Sequence, residues 1–348
     1  MVLLIEPMLP PWASPTESEL EATVRRDLRR PNAILLDSDI EPVDHRITSP
    51  GTVGLYRVSG TAVDGIEQLD WSLFVKVLQS PRHWPGHLED QTRRVPWDYE
   101  VDLYWSTLRY AMPGGLRLPE LYRVYDAGDQ RLAMWMQDIR TADVAWDLPR
   151  FRRAATLLGR LNARMTVEDL LPSSASFVPG EPLRVAPPLG DNPLIDGQDP
   201  TLRSDLKKLA ARIPALVDSL DAIPRAMVHG DASPQNLLVP ADAPDAFVPI
   251  DWSARGLVAV GYDLAQLVIG YANTGRIVPL QLPMLTDVVV DAYAAGLAQE
   301  GMPVDPWDVR YGMETTLVLR NAFASLPLDG LADRIRLTRY LVDLGLAR

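Results

Sequence analysis

Val228-His229-Gly230-Asp231-Ala232-Ser233-Pro234-Gln235-Asn236-Leu237-Leu238-Val239 is an H-x-D-x4-N loop that runs into a short apolar stretch. A turn-rich segment, Pro240 to Ala246, separates it from a second apolar run, Phe247 to Ile250, which ends in Asp251-Trp252. Two short strand-like runs joined by turn residues read as a β-hairpin. The start of the first strand then lies across from the end of the second, about 5 Å away between Cα atoms, which makes Asn236 and Asp251 neighbours. An amide oxygen beside a carboxylate, in a chain with no cysteine, suits Mg²⁺, a hard cation that keeps waters and shares its shell with phosphates. Asp231, in the same loop, is a second carboxylate close by. It can take the proton of an attacking hydroxyl while the cation neutralises the phosphates.

Phosphates also call for a fixed positive charge. Only three of the 34 basic residues are lysines: Lys76, Lys207 and Lys208. Lys76 sits in the apolar run Leu73-Phe-Val-Lys-Val-Leu78, where a strand period of two puts it on the face of Phe74 and Leu78. A lysine in such a strand needs an anionic partner. The helical pattern over 96–111 offers Glu100, which shares a face with Trp97, Val101, Tyr104 and Leu108, while Asp98 and Asp102 point elsewhere. Singly, Lys76 reads as a snorkelling edge-strand residue and Glu100 as a solvated helix position. What makes the set specific is its order along the chain.

Around these segments the pattern divides. A helix over 14–30 carries a Thr16-x-x-Glu19 capping box, with Ser14 also able to cap. Strand-like runs follow at Thr52 to Ala62, Asp70 to Gln79, Leu121 to Asp126 and Arg131 to Met136. Beyond about residue 137 the periodicity is helical: Pro149 to Met165, Thr201 to Leu220, Gly261 to Tyr271, Leu282 to Gln299, Pro306 to Ser325 and Leu331 to Leu346. The reading is an α+β chain with a β-rich N-terminal lobe, 1–136, and a larger helical lobe, 137–348. Residues 171–200 hold seven prolines and read as an irregular excursion, either a surface loop or a substrate lid.

His229-Gly-Asp231-x4-Asn236, then Ile250-Asp251-Trp252, then Tyr262-Asp263-Leu-Ala265 together resemble the aminoglycoside phosphotransferase and choline kinase family, whose fold is that of protein kinases. The resemblance spans about residues 45 to 325 by motif order. It implies a two-lobed fold with a small antiparallel β lobe and a larger, mainly helical one. It implies Asp231 as catalytic base, Asn236 and Asp251 as magnesium ligands, Lys76 as the phosphate-binding lysine and Glu100 as its ion-pair partner. Gln137-Asp138-Ile139 resembles the hinge whose backbone holds the nucleotide base. Asp263 matches an acidic residue that braces the catalytic loop, and His229 reads as a packed structural histidine. Pro50-Gly51-Thr-Val-Gly54 stands where the glycine-rich loop would be and departs from G-x-G-x-x-G.

The expected activity is transfer of a phosphoryl group from ATP or GTP, with Mg²⁺, to a hydroxyl of a small molecule. The absence of any Gly-Lys pair excludes a P-loop, and no Gly-x-Ser-x-Gly elbow is present. Only eleven residues separate Asp251 from Asp263, too few for a peptide platform, yet phosphorylation of Ser or Thr in a peptide stays open beside a catalytically silent nucleotide-binding protein. The net charge is −12 with no basic cluster, which argues against nucleic acid and anionic membranes. A lobe bearing Asp191, Asp196, Asp199 and Asp263 points either to an acceptor carrying amines or to acidity that does no more than keep an Arg-rich protein soluble. The chain shows no apolar run of membrane-spanning length, and a cytoplasmic location is expected.

Overall fold

The computed structural model describes residues 15–45, 47, 49–84, 97–167, 193–272, 279–323 and 332–348. The chain divides into two compact units, one of residues 1–105 with 118–140, the other of 106–117 with 141–348.

The first unit opens with α1 (Glu17–Leu28), whose N-terminus is closed by the expected capping box: Thr16 Oγ1 accepts from Glu19 N at 3.4 Å and Glu19 Oε2 accepts from Thr16 N at 3.0 Å. The alternative cap, Ser14, lies outside the described residues. A six-stranded antiparallel sheet follows, in the order β1-β3-β4-β6-β5 with β2 also on β3: β1 (Ile34–Leu35), β2 (Asp39–Pro42), β3 (Thr52–Asp64), β4 (Glu67–Gln79), β5 (Leu121–Asp126) and β6 (Arg131–Gln137). Alternation sorts the two faces of β4. Trp71, Leu73, Val75 and Val77 join Tyr56, Val58, Ala133 and Trp135 in a core covered by Val24, Leu20 and Leu28 of α1. Lys76 and Leu78 alternate with them on the other face, and both are buried.

The helix expected over 96–111 is two pieces. α2 (Tyr99–Trp105) ends at Ser106, and α3 (Leu108–Ala111) belongs with the second unit. Ser106 Oγ accepts from Leu108 N at 3.3 Å, the local side-chain competition by which serine interrupts a helix, and β-branched Thr107 does nothing to restore it.

The second unit is built on α4 (Leu148–Val167). α5 (Pro193–Asp196) and α6 (Pro200–Leu220) follow, the latter capped by Asp199, which accepts from the N–H groups of Thr201 and Leu202. Of the proline-rich excursion, 171–192 lie outside the described residues. β7 (Arg225–Val228) pairs antiparallel with β10 (Gly256–Ala259), and β8 (Leu237–Leu238) with β9 (Val248–Pro249). Then come α7 (Tyr262–Ala272), α8 (Leu282–Gln299), α9 (Pro306–Asn321) and α10 (Ala332–Ala347). Helices α4 and α8 cross with a glycine from each at the contact. A Cβ on Gly159 would stand 2.3 Å from Tyr293 O, and one on Gly296 would stand 2.2 Å from Thr156 O, so the two backbones touch where neither residue has a side chain. No helix among the described residues is long and apolar enough to cross a membrane.

Candidate active site

In the second unit, the chain leaves β7 and turns at Gly230, whose φ is +90°. A Cβ there would lie 1.9 Å from Ala254 O, so only glycine fits both the conformation and the space. The turn is held from α7. Asp263 Oδ2 accepts from His229 N at 3.0 Å and from Asn162 Nδ2 at 2.9 Å, while Oδ1 accepts from Gly230 N at 2.7 Å. A fully buried carboxylate is tolerable because three N–H donors replace its hydration. His229 works from the other side: Nδ1 accepts from Asp231 N at 3.2 Å and Nε2 lies 3.0 Å from Ile250 O. Both contacts are satisfied by the Nε2–H tautomer. The ring packs 4.4 Å from the Trp252 ring, so His229 ties the loop to the end of β9 and is walled off from solvent.

Both oxygens of Asp231 are gripped. Asn236 Nδ2 donates to Oδ2 at 3.0 Å and to the Asp231 carbonyl at 2.9 Å, and Gln266 Nε2 donates to Oδ1 at 2.6 Å. Committing the Asn236 nitrogen to an acceptor-only carboxylate turns its amide oxygen the other way. The hairpin brings the next partner in: Leu237 faces Pro249, and Ile250 N donates to Asn236 O at 2.9 Å. Asp251 follows at once, in a left-handed conformation with φ 60°, and Ser253 Oγ donates to its Oδ1 at 3.2 Å. The Asn236 amide and the Asp251 carboxylate therefore stand at adjoining ladder positions. An amide oxygen and a carboxylate are donors of the type that a hard cation such as Mg²⁺ takes. Among the described residues no three His, Cys, Asp or Glu side chains gather to hold a metal by themselves.

In the first unit, Lys76 lies between Leu55 of β3 and Met134 of β6. Its Nζ donates to Glu100 Oε2 at 2.6 Å, with side-chain exposures of 9% and 4%. That sequestration marks a pair set by the fold. Gly51 and Gly54 flank the start of β3, where Gln79 N donates to Gly51 O at 2.9 Å and a bulge falls between Thr52 and Gly54. The Tyr56 ring lies over Gly54, within 2.8 Å of where a Cβ would be. At the end of β6, Gln137 N donates to Glu120 O at 2.8 Å. The Asp138 carboxylate accepts from Arg57 Nε at 2.7 Å and Ser72 Oγ at 2.5 Å, so its side chain is engaged within the sheet.

Sequence reasoning missed Gln266, Arg320 and Asn162. Arg320 Nη1 donates to Gly230 O at 2.7 Å and to Tyr262 Oη at 2.9 Å. Nothing in the spacing announces it, since α9 lies far downstream. Gln266 had a signal: on α7 it stands one turn beyond Asp263 and shares its face. Of the acidic residues taken to attract an amine, Asp196 accepts from Lys207 at 2.9 Å, Asp199 caps α6 and Asp263 is buried in the brace; Asp191 lies outside the described residues.

No protein-family model matches this sequence, and no curated protein does. Solved structures do match. A thermostable mutant of aminoglycoside phosphotransferase APH(4)-Ia, in ternary complex with ADP and hygromycin B, shares 10% identity and a TM-score of 0.51 over 89% of this chain and 94% of that one. The GDP and kanamycin complex of APH(2")-IIia gives 13% and 0.52 over 95% and 98%. Choline kinase from Cryptosporidium parvum Iowa II gives 12% and 0.52 over 89% and 88%. The chain thus has the two-lobed α+β, protein-kinase-like fold of these enzymes.

Proposed function

We propose that the protein is a kinase that moves the γ-phosphoryl group of ATP or GTP to a hydroxyl of a small molecule. The observation that carries this reading is the hairpin that sets Asn236 and Asp251 side by side next to a half-buried, doubly held Asp231. In it, Asn236 and Asp251 would hold the magnesium ion, which supplies charge neutralisation at the phosphates. Asp231 orients the acceptor hydroxyl and takes its proton as the new P–O bond forms and the bond to the nucleoside diphosphate breaks. Lys76, positioned by Glu100, holds the phosphates; Gly51 and Gly54 let the chain pass close to them, and backbone groups at 137–139 hold the base. The ADP of one structural neighbour and the GDP of another support a nucleotide without choosing between adenine and guanine.

A small acceptor is favoured over a peptide because the residues between Asp251 and Asp263 are spent on a 3₁₀ turn at Trp252–Ala254 and on β10, already paired to β7. An acceptor bearing amines is supported by the net charge of −12 and by the hygromycin B and kanamycin of the neighbours, not by Asp196 or Asp199. The test is nucleotide consumption with MgATP and MgGTP against aminoglycosides, other amino-sugars, choline-like alcohols, macrolides and peptides. Transfer to a small-molecule hydroxyl that disappears in Asp231→Asn is the expected result. Transfer unaffected by that substitution overturns the reading.

A further inference from the structure

We infer that Gln266 is a positioning residue for phosphoryl transfer: its amide aims the Asp231 carboxylate at the acceptor hydroxyl. The inference rests on the reading of Asp231 as the base. Helix α7 is apolar along almost its whole length, with Leu264, Ala265, Leu267, Val268 and Ile269 buried. Its two side chains that carry a charge or an amide, Asp263 and Gln266, both reach the loop at 229–231. Asp263 binds the loop backbone, and Gln266 binds the Asp231 carboxylate.

The amide orientation is dictated by chemistry, since turning Gln266 over would press Oε1 against a carboxylate oxygen. With Nε2 committed to Asp231 Oδ1, Gln266 Oε1 is left buried with no hydrogen-bond partner. An unmatched buried acceptor lowers stability, and an apolar side chain of the same length would avoid it. A residue that weakens the fold while gripping one functional group is the pattern expected of a site built for reaction geometry. Asn236 and Gln266 hold opposite oxygens of Asp231 from different elements, so the carboxylate plane is fixed in two places. Each oxygen keeps a second lone pair, which leaves it able to accept the hydroxyl proton.

Three full-length proteins decide the matter: the unsubstituted chain, Asp231→Asn and Gln266→Met. The probe is release of inorganic phosphate from MgATP and from MgGTP with water as acceptor, alongside nucleotide Kd, melting temperature and a crystal structure of Gln266→Met. Gln266→Met is expected to release phosphate about 10- to 100-fold more slowly at unchanged nucleotide Kd, with a melting temperature equal or higher and Asp231 rotated from its present position. Gln266→Met turning over at the unsubstituted rate, or losing rate only together with Kd and melting temperature, overturns the proposal. An unrotated Asp231 in Gln266→Met overturns it as well, whatever the rates. Asp231→Asn releasing phosphate normally instead strikes the base reading, and is told apart because the fault then appears in Asp231→Asn.

Discussion

Replacing Asp231 by Asn keeps its shape and removes its ability to hold a proton. Measured with the acceptor that emerges from the panel, kcat is expected to fall by about 10²- to 10⁴-fold while nucleotide Kd holds. Lys76 and Glu100 invite a different experiment, because a buried ion pair is more expensive to break than to replace. Glu100→Ala, which takes this buried carboxylate away from the ammonium, is expected to lose about 3–5 kcal/mol in denaturant unfolding. The double variant Lys76→Met with Glu100→Leu is expected to recover most of that loss and none of the nucleotide affinity. The pairing itself was legible, since strand alternation gives the face of Lys76 and helical spacing separates Glu100 from Asp98 and Asp102. Gln266 and Arg320 were not, because a hydrogen bond across tens of residues leaves no trace in local periodicity.

At the scale of elements, the long helices and the four long strands were readable from their periods. Most of the short pieces were not, the β8–β9 hairpin excepted. β1, β2, β7 and β10 run two to four residues, too brief for alternation to register, and their pairing is decided by tertiary contact. The crossing of α4 and α8 depends on paired glycines that sequence inspection treats as weak points of a helix. Gly296→Leu is expected to unfold the second unit or lower its melting temperature by many degrees, since a side chain must displace the Thr156 carbonyl. Glu300, just beyond α8, clamps α4 through Arg164 and Arg160. The Arg164 hydrogen bond, helped by Arg160, holds its carboxyl below the ordinary 4.5. A lowered folded-state pKa stabilises above the unfolded value and that gain fades as pH falls through the lowered one. Glu300→Gln is therefore expected to melt below the unsubstituted protein at pH 7, with the gap closing as pH drops under 4.5 in a melting series.

For the molecule as a whole, a ligand that binds only the folded state raises stability with its concentration, by about 2.7 kcal/mol at a hundredfold excess over Kd. Nucleotide is expected to raise the melting temperature with magnesium present and to do so far less with a chelator added. The protein-kinase-like architecture could be read because it rests on a few residues in a set order along the chain and not on overall identity, which is 10–13% with these structural neighbours. Acceptor chemistry could not, because carboxylates counted along the chain turned out to be caps and ion-pair partners. The scarcity of lysine has one last consequence, for covalent chemistry. Lys207 and Lys208 are 49% and 64% exposed at the side chain, against 9% for Lys76, and the remaining side-chain cations are arginines, which amine-directed acylating reagents leave untouched. Such a reagent meets three lysine targets, two open and one shielded, so a single slow acylation on this surface reports on the one lysine beside Glu100 and on whatever comes to rest against it.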